Sequence, residues 1–255
     1  MKDIQSTKDK RGISINKVGI SDVRHPIQVM CRNGQSQHTV ATFSVCVNLP
    51  HDVKGTHMSR LVDAINQCQV AIASDSLQQM VSQVCNNLEA EEATITLQFP
   101  YFVTKSAPVT SMEGQMDYDC KLTGTINSNC FDLITEVTVP VTSLCPCSKE
   151  ISDRGAHNQR SRITIAVRSN GEHIWADDLI QVAEESASAP LYSLLKRPDE
   201  KFVTEQAYDN PVFVEDLVRA VASRLKDDSR IDWFHVRSVN EESIHNHNAF
   251  AEIIS

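Results

Sequence analysis

The hydrophobic pattern of this chain changes period in the same order twice, and that repetition constrains its fold more than any single residue does. Residues 13–20, 23–30 and 39–49 are apolar and β-branched, with Pro26 as an interruption and Asn33-Gly34 as a turn, which predicts a β-hairpin. Met58, Leu61, Val62, Ile65 and Cys68 then recur at helical spacing behind a Thr56 cap. A second helix starts near Asp75 and carries Leu77, Met80, Val81, Val84 and Leu88. Alternation returns at Ile95, Leu97 and Phe99 and, after a loop over 108–114, at Met116, Tyr118, Cys120, Leu122 and Ile126. The first pass reads ββααββ.

From Phe131 the order begins again. Phe131, Leu133, Val137, Val139 and Val141 alternate, and Ile163, Ile165 and Val167 form the returning strand. A helix over 175–188 buries Leu179, Ile180, Val182 and Ala183, and after Pro190 the stretch LYSLLKRPDEKFVTEQAYDN reads as a broken segment. Asn210 is expected to cap a helix with Pro211 at its first position, where proline lacks only an N–H that has no partner anyway. Its apolar stripe is Val214, Leu217, Val218, Val221 and Leu225, and strands over 230–239 and 243–254 close the chain. The prediction is an α+β chain of two tandem ββααββ modules, residues 1–128 and 129–255, with antiparallel sheets.

Composition narrows the function class. With 255 residues, 41% hydrophobic and 22% charged, the chain can bury a core and reads as a soluble globular protein. It has no run of about 18 apolar residues, and residues 1–25 lack the apolar centre of a signal peptide, so a cytoplasmic protein with no membrane partner is expected. Most of the eight cysteines, among them Cys31, Cys46, Cys68, Cys85 and Cys120, sit in apolar patterns and are expected as buried thiols. A net charge of -9 argues against nucleic acid as a partner. Residues 1–60 nevertheless carry nine Lys and Arg against four Asp, which suits an anion site and equally suits solvated lysines in a frayed start over 1–12.

The connection between the strands of the second pass, SLCPCSKEISDRGAHNQR at 143–160, concentrates reactive side chains. Cys145 and Cys147 stand two apart where a strand runs out at Pro146, so a regular strand would aim both sulfurs one way and a disturbed one would not. Spacing does not choose between them. His157 follows just before the next strand, close enough for the connection to return it to the cysteines. Cys and His are natural zinc ligands, and a catalytic zinc keeps one position open, so a third ligand must come from elsewhere. A structural zinc site, or a polar turn with no metal, fits the same spacing. Lys149, Arg154 and Arg160 add positive charge there.

Other candidates are weaker alone. Glu215 borders an apolar stripe in the first turn of its helix, where an acid is also favoured simply by the macrodipole. Glu242, His245 and His247 are predicted in the last strand, with the two histidines on one face, as in a proton relay or on an ordinary surface edge. Glu200 follows Pro198 in a charged turn, PDEK, that looks like a plain helix start. Lys54, His57 and Arg60 surround Gly55 at a helix N-terminus, a place that attracts phosphate but lacks the P-loop pattern.

Together, KGTHMSR at 54–60, SLCPCSKEIS at 143–152, GAHNQRS at 155–161, NPVFVEDLVR at 210–219 and SIHNHNAFA at 243–251 resemble the type IB GTP cyclohydrolase I family in the family's order. The resemblance implies a tunnelling fold, two ββααββ modules per subunit with helices on one face of each sheet, and a homotetramer with active sites at subunit interfaces. It implies hydrolysis of GTP to formate and 7,8-dihydroneopterin triphosphate, the first step toward folate and, in many bacteria, queuosine. Carried onto this sequence, it makes Cys145, His157 and Glu200 the ligands of a divalent Zn²⁺ or Mn²⁺ that activates water, with Cys147 a bystander. It makes Glu215 the anchor of guanine through two accepted hydrogen bonds, and sets His245, tuned by Glu242, to protonate N7 as the imidazole ring opens. Lys54, Arg60, Lys149 and Arg160 are the expected triphosphate contacts. Two alternatives stay open on sequence: a cysteine-dependent nitrile reductase, separable by NADPH consumption, and a zinc-stabilised assembly protein that chelation would unfold.

Overall fold

The computed structural model describes residues 5, 7–67, 71–128 and 130–255; Cys68, expected on the first helix and as a buried thiol, lies outside them. In chain order the elements are β1 (Ile15–Met30), β2 (Ser36–Leu49), α1 (Met58–Asn66), α2 (Ser74–Leu88), β3 (Glu92–Ser106) and β4 (Glu113–Asn127). The second pass follows as β5 (Cys130–Leu144), α3 (Pro146–Ile151), β6 (Asn158–Ser169), α4 (Ala176–Glu185), β7 (Ala189–Pro190), α5 (Arg197–Asp209), α6 (Val214–Asp227), β8 (Ile231–Glu241) and β9 (Ala249–Ile254). The order is ββααββ twice, with α3, β7 and α5 added to the second pass.

By its internal packing the chain forms two compact units. One comprises Met1–Pro100 and Lys121–Ile134, the other Tyr101–Cys120 and Thr135–Ser255.

In the first unit β1 and β2 form the expected hairpin, closed by Cys31 N–H to the Gln35 carbonyl at 2.8 Å, and β2 continues antiparallel onto β3 from Thr42 opposite Gln98 to Val47 opposite Ala93. Pro26 is tolerated because β1 is an outer strand, laddered to β2 and bridged on its other edge by Ile72 at Val29, beyond Pro26. Gly19 is required by close approach: a Cβ there would sit 1.9 Å from the Val45 carbonyl oxygen. Inward-facing Phe43, Val45, Ile95 and Leu97 meet Leu61 and Ile65 of α1 and Leu77 and Val81 of α2 in a fully buried interior. The expected Thr56 cap is not formed. Thr56 is buried, its carbonyl accepts from Gln5 Nε2, and α1 starts one residue later behind His57.

In the second unit β6 pairs β8 antiparallel from Arg160 opposite Glu241 to Ser169 opposite Ile231, and β8 pairs β9 from Asn240 opposite Ala249 to His235 opposite Ile254. Val137, Val139 and Val141 of β5, Ile163 and Ile165 of β6, and Val236 of β8 face inward with Leu179 and Ala183 of α4 and Leu217 and Val221 of α6. The predicted stripe of α6 is therefore its buried face.

Its predicted start is not. Asn210 closes α5, and α6 begins at Val214 behind Phe213. The reason is that Val212 N–H donates to the Leu144 carbonyl at 3.0 Å, which holds residues 211–213 extended. The segment read as broken contains the 13-residue α5, and the helix predicted to run to Ser188 stops at Glu185, so that Ala189–Pro190 can pair with Val141 and Thr142 of β5. The seven described cysteines are all free thiols; Cys120 is buried, and burial pushes its thiol far up, whereas Cys130 and Cys147 are exposed.

No helix among the described residues is long and apolar enough to cross a membrane.

Candidate active site

The connection from β5 to β6 is folded back on itself. Cys145, at the end of β5, is the N-cap of α3, with Pro146 in the helix's first turn, where a missing N–H costs nothing. Cys145 N–H donates to the His157 carbonyl at 3.1 Å, so the two residues are clamped side by side at the mouth of the β5–β6 pair. Ser148 fastens both: its N–H donates to Cys145 Sγ at 3.4 Å, its hydroxyl to the Cys145 carbonyl at 3.1 Å, and its Oγ accepts from His157 N–H at 3.2 Å. Gly155, at φ +126°, supplies the reversal that brings the chain back. The stretch expected as a polar turn thus contains a short helix.

Cys145, His157, Glu215, Glu242, His245 and His247 line one cavity of about 290 Å³, together with Gln159, Asn240 and the apolar Val212, Phe213 and Val214. The extended link into α6 sets Phe213 and Glu215 at this wall, and Glu215, which borders the apolar stripe of α6, is exposed into the cavity. Glu242, His245 and His247 were predicted in a strand. They lie in the β8–β9 loop instead, because the ladder ends at Asn240 opposite Ala249 and leaves residues 242–248 to turn. The two histidines share a face all the same, their rings stacked with centroids 5.2 Å apart.

His157 is held from behind. Its Nδ1 lies 2.9 Å from Gln159 Oε1, and Gln159 Nε2 donates to Ser143 Oγ at 2.9 Å. Ser143 and Ser161 meet at 2.7 Å, and Ser161 Oγ lies 2.7 Å from Asn240 Oδ1. Ser143, Gln159, Ser161 and Asn240 are all buried. Pattern reading missed them, although they continue the inward faces of β5, β6 and β8 in polar form.

Glu200 is not at the cavity wall. It is exposed in the first turn of α5. Its neighbour Asp199 is the buried residue there, accepting from Val109 N–H, Thr110 N–H, the Thr110 hydroxyl and Lys196 N–H at 2.7 to 2.9 Å. Burial alone would raise the Asp199 pKa, but these donors outweigh it and hold the carboxyl well below its ordinary value. Cys147 is exposed on α3 and does not line the cavity. Lys149 donates to the Tyr208 carbonyl and lies over the Tyr208 ring, Arg60 donates to the Asn87 carbonyl at 2.8 Å, and Arg160 is exposed on β6.

A thiol and an imidazole whose Nδ1 faces an amide carbonyl are the donor chemistry that zinc-type ions take, since ligating histidines normally donate their other N–H to such a group. Two donors fit. Among the described residues no three Cys, His, Asp or Glu are gathered closely enough to enclose an ion, so the set is incomplete here.

Residues 1–251 match the family model described as type I GTP cyclohydrolase folE2. This chain belongs to that family. It is 54% identical over 253 residues to GTP cyclohydrolase FolE2 of Nitrosococcus oceani, covering 99% of this chain and 94% of that one. It is 52% identical to the protein of the same name from Halorhodospira halophila, covering 99% and 97%. Among solved structures, uricase from Arthrobacter globiformis superimposes with a TM-score of 0.55 at 10% identity, covering 94% of this chain and 92% of that one. That likeness concerns the fold alone and places this FolE2-family chain in the tunnelling-fold class, with antiparallel sheet and helices on one side.

Proposed function

We propose that this chain hydrolyses GTP to formate and 7,8-dihydroneopterin triphosphate, as a GTP cyclohydrolase of type IB, at the cavity lined by Cys145, His157, Glu215, Glu242 and His245. Full-length relatedness to the FolE2 cyclohydrolases supports the activity. The observation that carries the site is the convergence of those residues, from three connections distant in sequence, on one cavity. At about 290 Å³ it stands at the lower end of small-molecule sites, enough for part of a nucleotide with the phosphates outside.

In this reading Cys145 and His157 would hold a divalent Zn²⁺ or Mn²⁺, and Glu200, which does not line the cavity here, would have to approach it to complete the set. When bound, the ion supplies a Lewis acid that activates water for attack on C8 of the purine. Glu215 accepts hydrogen bonds from guanine N1–H and its amino group, which adenine cannot offer in that pattern. The Glu215 charge stands in the first turn of α6, where the helix dipole favours it. His245 delivers a proton to N7 as the ring opens, with Glu242 beside it on the same wall. Phe213 and Val212 shield the base from water. Lys54, Arg60, Lys149 and Arg160 are the basic groups offered to the triphosphate.

The reading extends to a cytoplasmic homotetramer with sites shared between subunits. In support, β9 is an outer strand of its sheet and exposes Phe250 and Ile254, 62% accessible each, a surface suited to a further copy. The first-step role toward folate and queuosine precursors belongs to the same reading. Incubating the metal-loaded protein with GTP and measuring formate and the fluorescent pterin tests it. Glu215→Ala should raise KM for GTP; an unchanged KM removes the anchor.

A further inference from the structure

A second cavity, of about 310 Å³, is lined wholly by residues of the second unit and shares none of them with the cavity beside Cys145. One wall is α4, where Asp177, Ile180, Gln181 and Glu184 recur at helical spacing. An acid therefore stands at each end with an apolar side chain between, the two about 10 Å apart by the rise of the helix. Val103 of β3 and Pro190 of β7 extend the apolar part, and Gln206 of α5 completes the lining used here.

The lysine and tyrosine donors of this cavity are already used. Lys105 Nζ has three N–H groups and three acceptors around it: Glu184 Oε1 at 2.7 Å, the Leu191 carbonyl at 2.7 Å, and the face of the Tyr192 ring, 4.4 Å from its centroid. The Tyr118 hydroxyl donates to Glu184 Oε1 at 2.8 Å, and burial, followed by the Glu184 charge, pushes its pKa far up, so it stays a donor. Acceptors are left over. Both donors to Glu184 meet Oε1, and Asp177 takes the Tyr101 hydroxyl on Oδ2 at 2.7 Å, so each carboxylate keeps one oxygen that no described residue reaches. Glu184 is paired with Lys105 and its neighbour Glu185 with Arg224, whereas Asp177 pairs with no cation among the described residues. Gln206 Oε1 is buried and likewise has no donor among them, a costly state that a ligand's N–H or O–H would relieve. No three Cys, His, Asp or Glu among the described residues are gathered closely enough for a metal ion, so these acceptors suit an organic cation.

We propose that this cavity is a second ligand site, taking a short aliphatic ammonium that carries a further hydrogen-bond donor at its other end, as an amino alcohol does. The ammonium meets Asp177, the carboxylate without a counter-charge. The stem lies along Ile180, Val103 and Pro190, and the far donor meets Glu184 Oε2, with Gln206 Oε1 as a third acceptor on the wall. The spacing of the two acids leaves room for a stem of about five carbons between two hydrogen bonds. The volume, at the lower end of small-molecule sites, agrees with a ligand of that size.

Probes that lose one feature at a time test this on the wild-type protein. In backbone ¹H–¹⁵N spectra near neutral pH, where an aliphatic amine is protonated, aminopentanol should saturably shift amides of α4 and of α5 around Gln206, with a Kd near about 1 mM. Pentylammonium, lacking the far donor, should bind a few-fold more weakly, and pentanediol, lacking the charge, at least about 10-fold more weakly. Asp177→Asn keeps an acceptor for the Tyr101 hydroxyl and removes the charge, so it should cost aminopentanol at least about 10-fold while the circular dichroism spectrum is unchanged. Should that variant not fold, the probe series on wild type still decides. Pentanediol binding as tightly as aminopentanol overturns the cation assignment, and so does unchanged affinity in folded Asp177→Asn. Shifts confined to residues 242–248 put the amine in the other cavity, and no saturable shift removes the site; either overturns the proposal. The GTP reading stands or falls separately, on formate release.

Discussion

The β1–β2 and β5–β6 connections occupy the same place in the repeated ββααββ order, and they are built to opposite ends. The first is a tight turn over 31–35, closed by Cys31 N–H to Gln35 O and by Gly34 at φ +79°. The second takes residues 145–157 to make the same reversal and uses them to hold Cys145 and His157 together. The outer hairpins differ in the same way. Residues 107–112 close β3 to β4 through Ala107 and Met112, whereas 242–248 between β8 and β9 carry Glu242 and His245 to the cavity.

The interiors repeat the lesson. Both units carry part-buried cross-strand threonine pairs that close on themselves, Thr94 with Thr125 and Thr96 with Thr123 in the first and Thr138 with Thr164 in the second. The second unit adds a buried polar run from Asn240 to His157. A strand scaffold of one kind thus serves as structure in one half and as structure plus the proposed chemistry in the other, and the difference lies in the connections and in the polar end of the second interior.

Substitutions can break that contrast at several depths. The largest effect on activity is expected at the connection itself: His157→Ala should lower formate release by at least about 100-fold while the melting curve keeps its shape. Near-normal turnover there would return the β5–β6 connection to the status of a decorated turn. The cores should respond alike. Leu61→Ala in α1 and Leu217→Ala in α6 each empty a fully buried site and should cost about 2 to 5 kcal/mol in denaturant unfolding. If only one of them destabilises, the two scaffolds are not equivalent.

A smaller effect concerns pH. Because the Asp199 pKa is held below its ordinary 3.8, its stabilising contribution is fully present above the unfolded-chain value and is lost as pH falls through the folded one. The melting-temperature gap between wild type and Asp199→Asn should therefore be widest above about pH 5 and close progressively below about pH 4. A gap that widens in acid contradicts the assignment. The smallest effect is expected at Cys147, exposed and away from the cavity wall: Cys147→Ser should leave formate release and melting unchanged.

Much of this was legible in the chain. The strands, α2 and the stripe of α6 follow from hydrophobic period, and the Cys145 to His157 return follows from its place between two strands. What escaped did so for physical reasons. Helix α5 buries little beyond Asp199 and Ala207, so it has no apolar stripe to read. Asn210 and Pro211 look like a cap, but a tertiary bond from Val212 N–H to Leu144 O delays the helix. Alternation carried His245 into a predicted strand because loop and strand residues there share a polar–apolar rhythm. Ser143, Ser161, Ser238 and Asn240 hold inward positions with polar side chains, where pattern reading expects none. An inward face that turns polar toward one end of its strands was the available sign that a site lies at that end.

The central claim is that the cavity beside Cys145 is where GTP is opened. Formate release from GTP by metal-loaded wild type and by Cys145→Ala, at equal folded concentration, tests it most directly. The account predicts sustained formate from wild type and a loss of at least about 100-fold in the variant. Equal rates from the two proteins would contradict it.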